Sequence, residues 1–125
     1  MDKRKILAKR EAYEKADKII EIVLDFYGDK KIRIDSRKQE YVRTRFIIIR
    51  LIHTFTELSS TDISELIGYA NHTTVLHALK SAENAIATND PLYKHYFVLL
   101  RKIKGRLRLY DMKVKYLKIN YCELN

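Results

Sequence analysis

Residues 68–83, GYANHTTVLHALKSAE, decide how the rest of the chain is read. Asn71 is placed to cap a helix running from His72 to about Ala87, because a short polar side chain accepts from the backbone N–H groups that a helix start leaves unpaired. At about 100° per residue, Val75, Leu79, Ala82 and Ile86 form a narrow apolar stripe that must face a core. Thr73, His77, Lys80 and Asn84 fall on the opposite side. Just upstream, Ser59, Ser60 and Thr61 are cap candidates before Asp62-Ile63-Ser64-Glu65-Leu66-Ile67, a two-turn helix that Gly68 ends. A short helix, a glycine turn and a second helix make a helix-turn-helix, whose second helix lies in the DNA major groove. The outer face suits a groove, since threonine offers a hydroxyl or a methyl for thymine, and asparagine and lysine reach base edges or phosphates. An ordinary solvated face has the same composition, so pattern alone leaves both readings open.

Working outward, residues 42–57 carry Phe46, Ile47, Ile48, Ile49, Leu51, Ile52 and Phe55, a buried strand or a buried helix, and their length favours a helix. Before them, residues 30–38 (KKIRIDSRK) read as a basic connecting loop in which no period survives. This loop, with Arg37 and Lys38, is a candidate phosphate or minor-groove contact. Residues 3–27 have apolar positions at helical spacing, closed by Gly28-Asp29. Downstream, Asn89-Asp90-Pro91 ends the recognition helix. Residues 92–119 then form a basic amphipathic helix with Leu92, Tyr96, Leu99, Ile103, Leu107, Tyr110, Val114 and Leu117 on one side. It can pack on the domain's own core, pair with a second chain, or lie along phosphates. The four-four step at Leu99, Ile103 and Leu107 breaks a heptad, and Gly105 weakens the helix middle.

With 125 residues, three Gly and one Pro, the chain is expected to be all-α: one helical bundle containing the helix-turn-helix over residues 1–90, and a basic helical extension over 91–125. The net charge of +9 is unevenly spread. Residues 1–45 hold 14 Lys/Arg against 9 Asp/Glu, residues 46–90 hold 2 against 5, and residues 91–125 hold 9 against 2. The middle segment is not basic, so on a DNA reading it would specify bases while its flanks attract phosphates. Cys122 is the single cysteine and cannot form an internal disulfide. With a charged N-terminus and no run near 18 apolar residues, it points to a soluble protein of a reducing, cytoplasmic compartment with no membrane partner.

The run His72-Thr73-Thr74-Val75-Leu76-His77-Ala78 closely resembles the signature GGRDHTTVLHA of the C-terminal DNA-binding domain (domain IV) of the bacterial replication initiators of the DnaA family. Arg37, then Val42-Arg43-Thr44-Arg45, looks like the family's basic loop and the Val-x-Arg-Pro-Arg opening of its central helix. Ile22-Val23 with Phe26-Tyr27 resembles its first helix, so the similarity spans about residues 16–88. The resemblance implies a Trp-repressor-like helix-turn-helix bundle that binds double-stranded DNA and regulates replication initiation or transcription. By the same resemblance, Asn71, His72 and Thr73 meet base edges, with His77 farther along the same helix. Arg37 enters the minor groove, and Thr74, Arg43 and Arg45 lie near phosphates; Lys38 and Lys80 join them by position. Asn71 stands where the family has a base-reading aspartate, which removes an acceptor for cytosine's amino group and could favour adenine. Alanine at position 70 replaces an arginine, and Thr44 replaces the proline.

The sequence lacks a Gly-rich phosphate loop, so no nucleotide and no other cofactor is expected. The chain looks like the initiator's DNA-binding domain standing alone, as a small bacterial, phage or mobile-element protein would carry it. No catalytic residue and no metal ligand is assigned. His72 and His77 point about 140° apart on a helix, His53 and His95 complete no cluster, and no carboxylate or cysteine joins them. Two rivals to DNA reading remain: an interaction module that binds a replication protein or a second copy through the C-terminal helix, and RNA binding, which rests on charge and nine tyrosines.

Overall fold

The computed structural model describes residues 3–124, with side chains as far as Leu117. They form five α-helices and a 3-10 turn, with no strand among the described residues. The helices are α1 (Lys3–Tyr27), α2 (Gln39–Phe55), α3 (Ser60–Ile67), α4 (His72–Ala87) and α5 (Tyr96–Leu124); the turn is Pro91–Tyr93. The all-α expectation holds.

Local chemistry sets most of these boundaries. Gly28 sits at φ +72°, which lets the Asp29 N–H reach the Leu24 carbonyl at 2.8 Å and the Gly28 N–H reach that of Asp25 at 3.1 Å, closing α1. Asn89, at φ +55°, closes α4 in the same manner: the Asp90 N–H bonds to the Ala85 carbonyl at 2.9 Å. At the start of α3, Ser59 and Asp62 cap each other reciprocally, at 3.1 Å both ways.

Two helices start elsewhere than the sequence suggests. Helix α2 starts at Gln39, three residues earlier than expected, so Thr44 does not open it. Thr44 lies in the second turn, buried, with its hydroxyl donating to the Glu40 carbonyl at 2.9 Å. A proline there would remove an N–H and crowd that same carbonyl; threonine lets the helix run on upstream. Helix α5 starts at Tyr96 rather than Leu92, because Asp90 caps a separate 3-10 turn whose Tyr93 is buried.

Helix α2 is the centre of the bundle. Ile47, Ile48, Ile49, Leu51 and Ile52 are all fully buried, as suits a helix apolar on nearly every side. Each such side chain contributes roughly 2 kcal/mol over exposure. Helices α1 and α4 cover α2, and α3 packs on α4. Of the three fates open to the C-terminal helix, its first half takes packing on the domain's core: Tyr96, Leu99, Ile103 and Leu107 are buried with the rest. The core is therefore continuous across residue 90. Farther on, α5 runs back along α1, where Tyr110 donates to Glu14 and Lys15 pairs with Asp111 at 2.9 Å. Burial and the Glu14 hydrogen bond raise the Tyr110 phenol above its ordinary pKa. Along this half Leu109, Met112, Tyr116 and Leu117 are exposed. Cys122 lies outside the described side chains. No helix among the described residues is long and apolar enough to cross a membrane.

Candidate nucleic-acid interface

Helix α4 places its faces as the wheel requires. Val75, Leu79 and Ala82 are buried and Ile86 is half-buried, while His72, Thr73, His77, Lys80 and Asn84 are exposed. Asn71 caps the helix, its Oδ1 accepting from the Thr73 N–H at 3.0 Å. The cap uses one lone pair of the amide oxygen, and Asn71 is otherwise exposed. Thr74 is half-buried. The His77 ring lies edge-on to Phe46 of α2 with 6.3 Å between centroids, and its Nε2 is 3.5 Å from the Ser81 hydroxyl. Sequence reasoning missed Leu76, which is 50% exposed in the middle of this face, between His72 and Lys80. The wheel contained that signal, since four-residue spacing puts 72, 76 and 80 in one row.

The basic loop has more order than its composition suggests. From Lys31 to Arg37 its residues alternate: Ile32, Ile34 and Ser36 turn inward, while Lys31, Arg33, Asp35 and Arg37 stay exposed. A period of two does survive, without a partner strand. Ile34 lies over the turn before α4, so close that a Cβ added to Gly68 would stand 3.2 Å from its Cδ1. Gly68 itself is at φ +100°, a conformation that L side chains rarely adopt. Arg33 stacks over Tyr41 at 4.9 Å, and Arg37 and Lys38 are exposed.

Two arginines expected along phosphates are placed otherwise. Arg45 is only 8% exposed. Its Nε–H donates to the Tyr69 hydroxyl at 3.0 Å, and its Nη1 donates to the Arg33 and Ser36 carbonyls at 2.6 and 2.9 Å. Arg43 is half-buried, with its guanidinium 3.8 Å from the Tyr27 ring centroid and its Nε buried without a hydrogen-bond partner. Both turn inward because the early start of α2 puts residues 43 and 45 one to two turns inside the helix, against neighbouring elements. Burial raises the Tyr27 phenol pKa, although the Arg43 charge opposes the shift.

The acidic start of α3 is paired with Lys9, whose Nζ lies 3.2 Å from Asp62 Oδ1. Burial would raise the Asp62 pKa, but hydrogen bonds from the Ser59 backbone and hydroxyl, together with Lys9, prevail and hold it below the usual carboxylate value. The histidines are dispersed, with His95 against Phe26 and Tyr27, and the described residues assemble no group of three His, Cys, Asp or Glu that could hold a metal.

A family model described as the bacterial dnaA protein helix-turn-helix matches residues 16–81, from the second half of α1 to the middle of α4. The chromosomal replication initiator protein DnaA of Francisella tularensis subsp. tularensis (strain WY96-3418) is 31% identical over 102 residues, covering 80% of this chain and 21% of that protein. Its namesake from Lachnoclostridium phytofermentans is 33% identical over 89 residues, covering 70% of this chain and 20% of that protein. The chain thus spans about one fifth of the length of the curated relatives it matches. No solved structure matches.

Proposed function

Since the chain belongs to the bacterial dnaA protein helix-turn-helix family, we propose that it binds a specific double-stranded DNA sequence and acts in the control of replication initiation or transcription. Helix α4 enters the major groove with His72, Thr73 and the Asn71 amide at base edges, His77 farther along, and Leu76 against thymine methyls. Arg37 enters the adjacent minor groove, while Lys38, Thr74 and Lys80 lie along phosphates. Arg43 and Arg45, turned inward, serve as framework. The observation that carries this reading is the fastening of the basic loop to the turn before α4, Ile34 on Gly68, which presents both elements as one surface. Asn71 caps α4 through one lone pair of Oδ1, and its Nδ2 donors and second Oδ1 lone pair suit the N7 and N6 of adenine. DNA of the cytoplasm is the target, and binding requires no nucleotide.

The test is fluorescence anisotropy of the wild type and a His72→Ala/Thr73→Ala variant against a DnaA-box duplex, a randomised duplex pool and single-stranded RNA, across a salt series. The expected result is a duplex preference in the wild type that the variant loses while keeping its salt slope. Equal binding of all partners by both proteins would overturn the reading.

The exposed Leu109, Met112, Tyr116 and Leu117 of α5 favour a second reading, in which this half-helix docks another copy of the chain. Sedimentation equilibrium with and without Leu109→Glu/Met112→Glu tests it, and a wild-type monomer at high concentration would rule it out.

A further inference from the structure

We propose that Arg45 is a positioning residue that locks the minor-groove loop to the major-groove helix, so that Arg37 and α4 engage DNA as one rigid unit. The proposal rests on the DNA-binding reading above. Three hydrogen bonds carry it. One edge of the guanidinium reaches Tyr69, two residues before the cap of α4. The other grips the carbonyls of Arg33 and Ser36 in the loop. The Ser36 carbonyl belongs to the peptide unit that joins Ser36 to Arg37, so holding that oxygen fixes the plane from which Arg37 departs. Ile34 against Gly68 adds an apolar contact between the same two segments.

A buried guanidinium is tolerated when its donors find partners, and the Nε and Nη1 donors of Arg45 are spent on two separate segments of the protein. A planar fork can span a hydroxyl on one side and two carbonyls on the other; a lysine ammonium, whose donors all leave one atom, cannot. The loop is thereby ordered before DNA arrives, and binding is spared the cost of ordering it.

A phosphate contact and a strut predict opposite behaviour for Arg45→Lys, which keeps the charge and loses the fork. The experiment measures the full chain on its preferred duplex for wild type, R45K, R37A, the R37A/R45K double variant and Y69F, with melting followed by circular dichroism. R45K and R37A are each expected to weaken binding about tenfold, and the double variant should lie within about twofold of either, because both remove the same contact. Y69F should lose about threefold and, like R45K, speed hydrogen exchange of the loop amides without DNA. Binding of R45K at wild-type strength overturns the proposal, as do losses that multiply to about a hundredfold in the double variant. Should R45K fail to fold, Y69F and Y69F/R37A decide the matter by the same comparison. A wild type without duplex preference overturns the DNA reading and this inference together. An intact preference with independent losses overturns this inference alone.

Discussion

Gly68→Ala separates two physical costs at the junction between the basic loop and the recognition helix. The first is backbone: at φ +100° an L residue pays about 1–2 kcal/mol that glycine does not. The second is contact: the new methyl would stand 3.2 Å from Ile34 Cδ1, so the loop must give way. Because Cδ1 is the tip of a half-exposed side chain, yielding costs less than the 1–3 kcal/mol of overpacking a closed core, about 0.5–1 kcal/mol. Gly28 is the internal control, at φ +72° with nothing within 4 Å of an added Cβ. In urea unfolding, Gly28→Ala should lose about 1 kcal/mol and Gly68→Ala about 2 kcal/mol, and each kcal/mol lowers Tm by roughly 3–6 °C in a chain of this size. In anisotropy, only Gly68→Ala should weaken binding to the preferred duplex. Ile34→Val, which deletes Cδ1, should restore part of that affinity in the Gly68→Ala background. Equal destabilisation with unchanged binding in both glycine variants, or no recovery with Ile34→Val, would refute the idea that loop and turn are coupled through this contact.

Three further outcomes are expected in other parts of the fold. Asp62 is held below its unfolded pKa of about 3.9, so its contribution is full above that value and fades as pH falls through the folded one. Asp62→Asn should be less stable at pH 7 and show a flatter acid limb, and an acid limb identical to the wild type would remove Asp62 from the account. Thr44→Pro restores the residue typical of the family and should destabilise this chain by about 3 kcal/mol, because here position 44 is inside α2; a neutral effect in thermal melts would mean that α2 can begin at residue 44. Leu99→Ala should cost about 2–5 kcal/mol if α5 is integral to the core, and a loss under 1 kcal/mol would make α5 an appendage.

The helices of this protein are legible in its sequence because their chemistry is local: Ser59 and Asn71 cap, Gly28 and Gly68 turn, and the apolar stripe of α4 faces inward. The basic loop is harder to read because dense charge masks Ile32, Ile34 and Ser36, whose alternation matters only once a surface exists for them to face. Charge alone assigns Arg45 to solvent, although three- and four-residue spacing to Ile48, Ile49 and Ile52 sets it on the buried side of α2. Its actual partners, a tyrosine 24 residues away and two loop carbonyls, are tertiary and leave no mark in the local pattern. For the same reason the sequence distinguishes the apolar side of α5 without revealing that, among the described side chains, Leu107 is the last buried one and Tyr110 and Val114 are half-buried.

The pairing of Tyr110 with Glu14 and of Lys15 with Asp111 brings the middles of the first and last helices side by side. Because Phe26 and Tyr27 meet His95 at the other end, the two helices run in opposite directions and act as a clasp over the three helices between them.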